Sequence, residues 1–284
     1  MTSATLIEKC CLIAQPVAGN PTHFMVEHAF ELAGLDWRFV SFEVAPEKLD
    51  DAMRGIRALG LRGVKVAEPH QESVLEYLDD LTEPARLCGS VNCVTASDDR
   101  LVGDNTEGTA LVELVREQVD LAGRQAMIVG AGRLARAIAI ALGQAGVASI
   151  TVACRVQEIG EQLVAHVEKH TPAAASLQLF GEKDSIKVQS AISLLVNATS
   201  LGAVDPNATL PLDVTATKPG GVVADVTYSS TATWLTRQAR DRGCQVIDGV
   251  ELYVRQTALA LRNWTGTMPD TAAMREAAEE FLGL

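Results

Sequence analysis

The segment AMIVGAGRLARAIAIALGQAG, residues 126–146, constrains the fold of this chain more than any other stretch. An apolar strand pattern runs into G-x-G-x-x-A, and an alanine-rich helix pattern follows. A tight turn that binds nothing is the alternative. The strand–turn–helix setting favours a dinucleotide site, because the helix N-terminus offers unpaired N–H groups to phosphates. The residues predicted to form it are Gly130, Ala131, Gly132, Arg133, Leu134 and Ala135.

The end of the next strand indicates which dinucleotide is bound. NAD sites commonly carry an acidic residue there, about 20 residues after the glycine loop, to hold the ribose hydroxyls. This strand, 149–153, is followed instead by Cys154 and Arg155. A guanidinium suits a 2′-phosphate, and Arg133 would add a second cation. Taken alone, each arginine is also explained as an ordinary surface residue that binds no ligand. The two together favour NADP over NAD.

Strand and helix patterns alternate along most of the 284 residues, which predicts an α/β fold with mostly parallel sheets. The length suggests two domains. Motif positions place the boundaries near Glu107 and Gly249. We therefore predict one domain over residues 1–107, completed by helices in 250–284, and a Rossmann-type doubly wound domain over 108–249.

Composition excludes several classes of function. The formal net charge is −12 and no basic block occurs, which argues against nucleic-acid and anionic-membrane partners. No signal peptide and no apolar run of membrane-spanning length is recognisable. The six cysteines form no CxxC pair, so we expect reduced thiols, a cytoplasmic location and no metal site. His166 and His170 lie one helical turn apart without a third ligand, and a solvated helix face explains them.

A series of further motifs resembles the shikimate dehydrogenase family over essentially the whole chain. Seven motifs stand in the family's order: AQPVAGNPT (14–22), GVKVAEPHQ (63–71), GSVNC (89–93), GDNTEG (103–108), VNATSLG (196–202), ADVTYSSTATWL (224–235) and GVELYVRQTALALRNWTG (249–266). The resemblance implies a substrate domain, an NADP-binding Rossmann domain and a cleft between them. It also implies reversible NADP(H)-dependent hydride transfer on shikimate, 3-dehydroshikimate or a related hydroxylated ring acid.

The resemblance also implies site residues, carried over position by position. Beyond the glycine loop, the cofactor residues would be Cys154, Arg155, Asn197, Thr199, Ser200 and Gly249. Those that bind the substrate would be Asn20, Thr22, Gln71, Asn92, Asn105, Tyr228 and Gln256.

The chain departs from the family pattern where the chemistry is expected. Asn20 and Thr22 stand where the family has paired serines for the substrate carboxylate. Gln71 replaces the family's catalytic lysine, and Glu107 replaces its catalytic aspartate. Lys65 replaces an asparagine, and Ala67, two residues on, replaces a threonine.

Lys65 is our candidate for the missing acid–base group, because an amide such as Gln71 exchanges no proton at ordinary pH. Strand alternation places Lys65 on the face of Ala67, where the smaller side chain leaves room, and Glu107 is long enough to pair with a relocated amine. Two alternatives remain open: Lys65 only binds the substrate carboxylate, or it is an exposed lysine on an edge strand. His70 is a further candidate acid, although its place beside Pro69 at a predicted helix start favours a role in the pocket wall or a capping contact.

Two hypotheses follow from these residues. The first is an NADP-dependent dehydrogenase with Lys65 and Glu107 as its catalytic pair, acting on a small carboxylated substrate as a monomer or homodimer. The second is a non-catalytic nucleotide- or metabolite-binding homologue that has lost the family's lysine. The retained cofactor motifs favour the enzyme.

Overall fold

The computed structural model describes residues 7–97, 100–181, 185–189, 191–214, 217–229 and 231–284. The chain divides into two compact units, each built around a six-stranded sheet. The first unit takes in the chain up to Thr106 together with Val254–Gly283, and the second is Glu107–Tyr253. The predicted α/β fold class is confirmed.

The first unit contains a mixed sheet with the strand order β2-β1-β3-β5-β6-β4. Its strands are β1 (Glu8–Ala14), β2 (Trp37–Glu43), β3 (Gly63–Val66), β4 (Asp80–Leu81), β5 (Cys93–Ser97) and β6 (Arg100–Asp104). Neighbours are parallel except that β5 runs antiparallel to both β3 and β6. β3 is therefore an inner strand, hydrogen-bonded on one side to β1 and on the other to β5.

The helices of the first unit cover this sheet. They are α1 (Thr22–Leu32), α2 (Leu49–Ala58), α3 (Glu83–Cys88), the later part of α8 (Gly249–Thr265) and α9 (Thr271–Leu282). Short 3₁₀ helices occupy Pro46–Lys48 and Ser73–Tyr77. β1 is buried from Cys10 to Ala14, as expected for a strand that is covered on both faces.

Trp264 of α8 fixes which sheet face lies under that helix. A Cβ added to Gly63 would lie 2.4 Å from the Trp264 ring, so only glycine permits this approach. The indole N–H of Trp264 also donates to the Val94 carbonyl at 3.0 Å. Because side chains alternate along a strand, Lys65 points to the same face as Gly63, under α8.

The second unit contains a parallel sheet with the order β14-β13-β11-β7-β8-β9. Its strands are β7 (Gln125–Val129), β8 (Ser149–Cys154), β9 (Ala174–Leu179), β11 (Ile192–Asn197), β13 (Val222–Asp225) and β14 (Gln245–Ile247). Numbered from β7, this is the 3-2-1-4-5-6 order of a doubly wound dinucleotide fold. A two-stranded sheet of β10 (Ile186–Lys187) and β12 (Leu212–Asp213) stands apart.

Four helices accompany the second sheet: α4 (Glu107–Gln118), α5 (Arg133–Gln144), α6 (Gln157–His170) and α7 (Trp234–Asp241). α4 and α5 pack very closely. A Cβ added to Gly108 would lie 2.4 Å from the Ala137 carbonyl oxygen, so Gly108 allows the two helices to meet. This contact places the N-terminal turns of the two helices side by side.

The structure departs from the sequence reading in a few places. The edge-strand interpretation of Lys65 is wrong, since β3 is an inner strand and Lys65 is only 3% exposed. The hairpin of β5 and β6 was not predicted. The sequence pattern TLIEKCCLIA predicts a first strand over residues 5–14, of which residues 5 and 6 lie outside the described residues. All six cysteines are described; each is buried, and none of them forms a disulfide. Within the described residues, no helix is long and apolar enough to cross a membrane.

Candidate active site

The glycine loop joins β7 to α5 in the second unit. Gly130 has φ +112°, a backbone conformation that L side chains rarely adopt, and a Cβ there would lie 2.9 Å from the Ala198 carbonyl oxygen. Ala135 is fully buried and lets α5 lie against the sheet. Gly132 differs from Gly130, because a Cβ added to it meets no atom within 4 Å. The loop therefore leaves open space in front of the α5 N-terminus.

A cavity of about 580 Å³ opens beside this loop and lies entirely within the second unit. Arg155 lines it from the end of β8, and Thr199 and Ser200 line it from the loop after β11. Its other lining residues are Val129, Phe180, Gly181, Ser185, Leu201, Thr209, Leu210, Pro211 and Leu212. One cation, four hydroxyl side chains and an apolar wall are the donor set that a phosphorylated dinucleotide needs, so the residues present fit NADP.

Asn197 shapes the loop that carries Thr199. Its side chain donates to Asp225 at 2.9 Å, and its carbonyl oxygen accepts from the Thr199 amide and hydroxyl groups at 3.1 and 2.7 Å. Asp225 in turn accepts from the Thr233 hydroxyl group at 2.6 Å. This buried network ties the ends of β11 and β13 together, and it supports the loop that borders the cavity.

Tyr228 follows the end of β13 and Gly249 follows the end of β14 in the same unit. A Cβ added to Gly249 would lie 2.2 Å from the Thr227 carbonyl oxygen, so the start of α8 requires glycine. The Tyr228 ring lies 5.3 Å from that of Tyr253, and burial raises the pKa of Tyr228. Cys154 is buried, and desolvation raises the pKa of its thiol.

We expect the change Gly132→Val to weaken binding of both NADPH and NADH by about tenfold or more without lowering the melting temperature. The added side chain finds room in the folded protein but occupies the space where phosphates would approach. Fluorescence titration and thermal unfolding measure the two effects. Gly55→Val is the control, because an added Cβ there also meets open space. Unchanged cofactor affinity in Gly132→Val would contradict this site.

In the first unit, Lys65 lies on β3 between Leu12 of β1 and Cys93 of β5. Its side chain is buried on the sheet face under α8. Burial raises the pKa of the Cys93 thiol to about 12, and the positive charge of Lys65 acts in the opposite direction. Asp104 stands across from Cys93 in register, which puts Lys65, Cys93 and Asp104 in one row over three strands.

Asn92, Thr106 and Gln256 form a hydrogen-bonded cluster in the same unit. Asn92 donates to the Gln256 side-chain oxygen at 3.0 Å and accepts from the Thr106 amide at 2.9 Å. The Thr106 hydroxyl group donates to the Gln256 carbonyl at 2.9 Å. Nearby, Asn105 donates to the Ser90 hydroxyl at 3.1 Å. The structure thus brings together two of the predicted substrate residues, Asn92 and Gln256, and holds them with Thr106, which sequence reasoning did not single out.

Gln71 is buried in the loop after β3. Its side-chain N–H donates to the Val66 carbonyl at 2.9 Å, which sets the orientation of the amide. The side-chain oxygen is buried and accepts no hydrogen bond from the described residues. His70, fully buried, contacts the Val44 carbonyl through Nε2 at 2.8 Å. His70 is therefore packed into the unit, and its roles as an acid, as part of the pocket wall or as a capping contact stay predictions.

Asn20 and Thr22 bind each other at the start of α1. The Asn20 side-chain oxygen accepts from the Thr22 amide at 3.0 Å and from the Thr22 hydroxyl at 2.6 Å. Thr22 is fully buried. The Thr22 donors at the position of the family's carboxylate-binding serines are thus already engaged within the chain.

Glu107 and Arg133 form an ion pair within the second unit. Glu107 is the first residue of α4 and Arg133 the first of α5. Nη1 of Arg133 lies 3.0 and 2.8 Å from the two carboxylate oxygens, and the two side chains are only 7% and 18% exposed. The residues are 26 positions apart, and no local pattern in the sequence indicated this contact.

Fold and site together define a dinucleotide-dependent oxidoreductase: a doubly wound unit with a glycine loop and a cation-lined cavity, and a second unit with a buried polar cluster. Two family models match the chain. The model for the shikimate dehydrogenase substrate binding domain matches residues 12–94, and that for shikimate / quinate 5-dehydrogenase matches residues 113–187. The chain belongs to the shikimate dehydrogenase family.

Relatives match over nearly the whole chain. A protein of Symbiobacterium thermophilum named shikimate dehydrogenase (NADP(+)) is 37% identical, covering 94% of this chain and 92% of its own. One of Geobacillus kaustophilus with the same name is 34% identical, with 95% and 97% covered. The family and the predicted enzyme class are confirmed.

Two solved structures show how widely this fold is used. A 5-ketofructose reductase of Gluconobacter sp. strain CHM43 is 34% identical with a TM-score of 0.93, covering 96% of this chain and 98% of its own. Shikimate 5-dehydrogenase of Listeria monocytogenes, in complex with shikimate and NAD, is 31% identical with a TM-score of 0.86, with 97% and 98% covered. Proteins that share this fold are therefore named for different substrates.

Proposed function

We propose that the protein catalyses reversible NADP(H)-dependent hydride transfer on a hydroxylated ring carboxylic acid of the shikimate and 3-dehydroshikimate class, with Lys65 as the acid–base group. The observation that carries the proposal is the burial of Lys65, at 3% exposure, on an inner strand of the first unit. NADPH, when bound, supplies the hydride. The chain itself has to hold the dinucleotide, orient the substrate and exchange one proton with the substrate oxygen.

The second unit would hold NADP. The open space at Gly132 would admit the pyrophosphate to the α5 N-terminus, and Arg155, which lines the cavity, would pair with the 2′-phosphate. Thr199 and Ser200 contribute hydroxyl groups from the loop that Asn197 supports. The names of the curated relatives, which specify NADP(+), agree with this assignment.

Lys65 would hold and release the proton. During reduction its ammonium group donates a proton to the carbonyl oxygen as that oxygen gains negative charge, and during oxidation the neutral amine takes the proton back. Gln71 cannot perform this exchange and would orient the ligand, because its buried side-chain oxygen accepts only from a donor such as a substrate hydroxyl group. The pairing of Lys65 with Glu107 stays a prediction. In the structure, the carboxylate of Glu107 forms an ion pair with Arg133.

The polar residues of the first unit would bind the ring. Asn92 and Gln256 are held rigidly by Thr106, which suits them to recognise hydroxyl groups in a fixed geometry. Asn105 and, from the second unit, Tyr228 are assigned to the substrate in the same way. The charge of Lys65 would attract the carboxylate even if it transferred no proton, and kinetics separate these two roles.

A neutral polyhydroxylated ketone is the second candidate substrate. The observation that favours it is the mutual hydrogen bonding of Asn20 and Thr22, which engages the Thr22 donors where a carboxylate would bind. The similarity to a 5-ketofructose reductase agrees with this observation.

The test is a spectrophotometric assay of NADP⁺ reduction with shikimate and quinate, and of NADPH oxidation with 3-dehydroshikimate and 5-ketofructose. We expect turnover of at least one ring acid. Turnover of 5-ketofructose alone would replace the ring acid by the neutral ketone. If none is turned over while NADPH still binds, the non-catalytic homologue becomes the correct description.

A further inference from the structure

The ion pair between Glu107 and Arg133 has no role in the function described so far. Both residues begin helices, and Gly108 against the Ala137 carbonyl holds those helices together. The pair is therefore positioned by packed backbone and not by two flexible surface chains. Its side chains are mostly buried, so solvent screens the attraction much less than in an exposed pair.

The position of Arg133 is unfavourable unless an anion lies near it. A helix N-terminus carries a partial positive charge, so a cation in the first turn of α5 is repelled by the helix dipole. In the described structure the carboxylate of Glu107 offsets that charge. The same helix end follows Gly132 directly and faces the open space proposed for the pyrophosphate. Arg133 thus stands between two possible anions, one from the protein and one from the cofactor.

The geometry of the contact suits exchange between these anions. Both oxygens of Glu107 converge on the single atom Nη1 of Arg133, at 3.0 and 2.8 Å. The guanidinium group carries several N–H donors, which also suit the oxygens of a phosphate. Phosphates bring more negative charge to the helix end than one carboxylate does.

We propose that Glu107 competes with the cofactor phosphates for Arg133. In the free protein Glu107 holds the arginine, and in the binary complex Arg133 turns to the phosphates and releases the carboxylate. Glu107 is then a positioning residue that lowers cofactor affinity, and cofactor occupancy controls the state of the acidic side chain predicted for acid–base chemistry. This inference rests on the proposed dinucleotide site but not on any substrate.

The competition predicts a gain of affinity when the carboxylate is neutralised. Glu107→Gln keeps the shape of the side chain and removes its charge, so we expect NADPH to bind about fivefold tighter or more, as measured by fluorescence titration without substrate. In a protein that already carries Arg133→Gln, the change Glu107→Gln should leave NADPH affinity unchanged, because the guanidinium group for which the carboxylate and the phosphates compete is absent. Glu117→Gln, on the exposed side of α4, controls for the loss of one negative charge.

A second variant, Glu107→Asp, tests the proposal independently in case Glu107→Gln does not fold. Glu107→Asp restores the residue of the family motif and draws the carboxylate back from Arg133, so a smaller gain of NADPH affinity is expected. Equal or weaker NADPH binding in both Glu107 variants, or the same gain with and without Arg133, would overturn the competition. Failure of the wild-type protein to bind NADPH at all would instead overturn the dinucleotide site on which it rests.

Discussion

Replacing Lys65 by methionine should lower kcat by about 10²- to 10⁴-fold, the range typical of general acid–base catalysis. Methionine keeps most of the apolar stem of lysine, and its flexible thioether suits the buried position under α8. The change therefore removes the ammonium group while it preserves the packing on β3. Steady-state kinetics, with the substrate that the spectrophotometric assay identifies, measure the effect.

Lys9→Met is the matched control, because it makes the same substitution on an exposed position of the same sheet. It should leave kcat unchanged. Gln71→Lys is the complementary variant, since it returns the amine to the family's position, and a gain of shikimate oxidation there would show that the site still fits the ring. If Lys65→Met raised KM and kept full kcat, Lys65 would bind the substrate without transferring a proton.

Replacing Arg155 by alanine should weaken NADPH binding by roughly ten- to hundredfold and leave NADH binding nearly unchanged. A hydrogen bond to a charged group contributes about 1.5–3 kcal/mol, and only NADPH carries the 2′-phosphate that Arg155 would contact. Fluorescence titration with the two cofactors gives the ratio of their affinities. The preference for NADPH should largely disappear in this variant.

Arg240→Ala serves as the control for the loss of one positive charge. Arg240 is exposed on α7 and does not line the cavity. It should change neither affinity. If Arg155→Ala weakened the binding of NADPH and of NADH equally, this arginine would bind a part common to both cofactors. If the wild-type protein bound NADPH and NADH with equal affinity, the assignment to NADP would be wrong.

The second unit was predictable because its signals are local. The glycine loop depends on residues within one strand–turn–helix segment, and Arg155 follows the next strand directly. Its alternation of apolar strands and helices also indicates a parallel sheet, which the order around β7 confirms. The family motifs added the positions of Thr199 and Ser200, which line the cavity beside Arg155.

The first unit was harder to predict because its features depend on contacts between distant residues. The short strands of the β5–β6 hairpin carry polar residues and give a weak pattern. The hydrogen bonding between Asn20 and Thr22 depends instead on the local turn before α1. In the second unit, the pairing of Glu107 with Arg133 was likewise not predictable, because it needs two helices to pack against each other. Only the register of β3 with β1 and β5 shows that Lys65 is a buried lysine on an inner strand and not an edge lysine.

Transfer of deuterium tests the central claim most directly. Wild-type protein would be incubated with NADPH that carries deuterium in the transferable position at C4, together with 3-dehydroshikimate, and the product analysed by mass spectrometry. We predict a product that carries one deuterium, formed by the wild-type protein and at least about a hundredfold more slowly by Lys65→Met. A product without deuterium, or no reduced product from either 3-dehydroshikimate or 5-ketofructose, would contradict the assignment of hydride transfer to this protein.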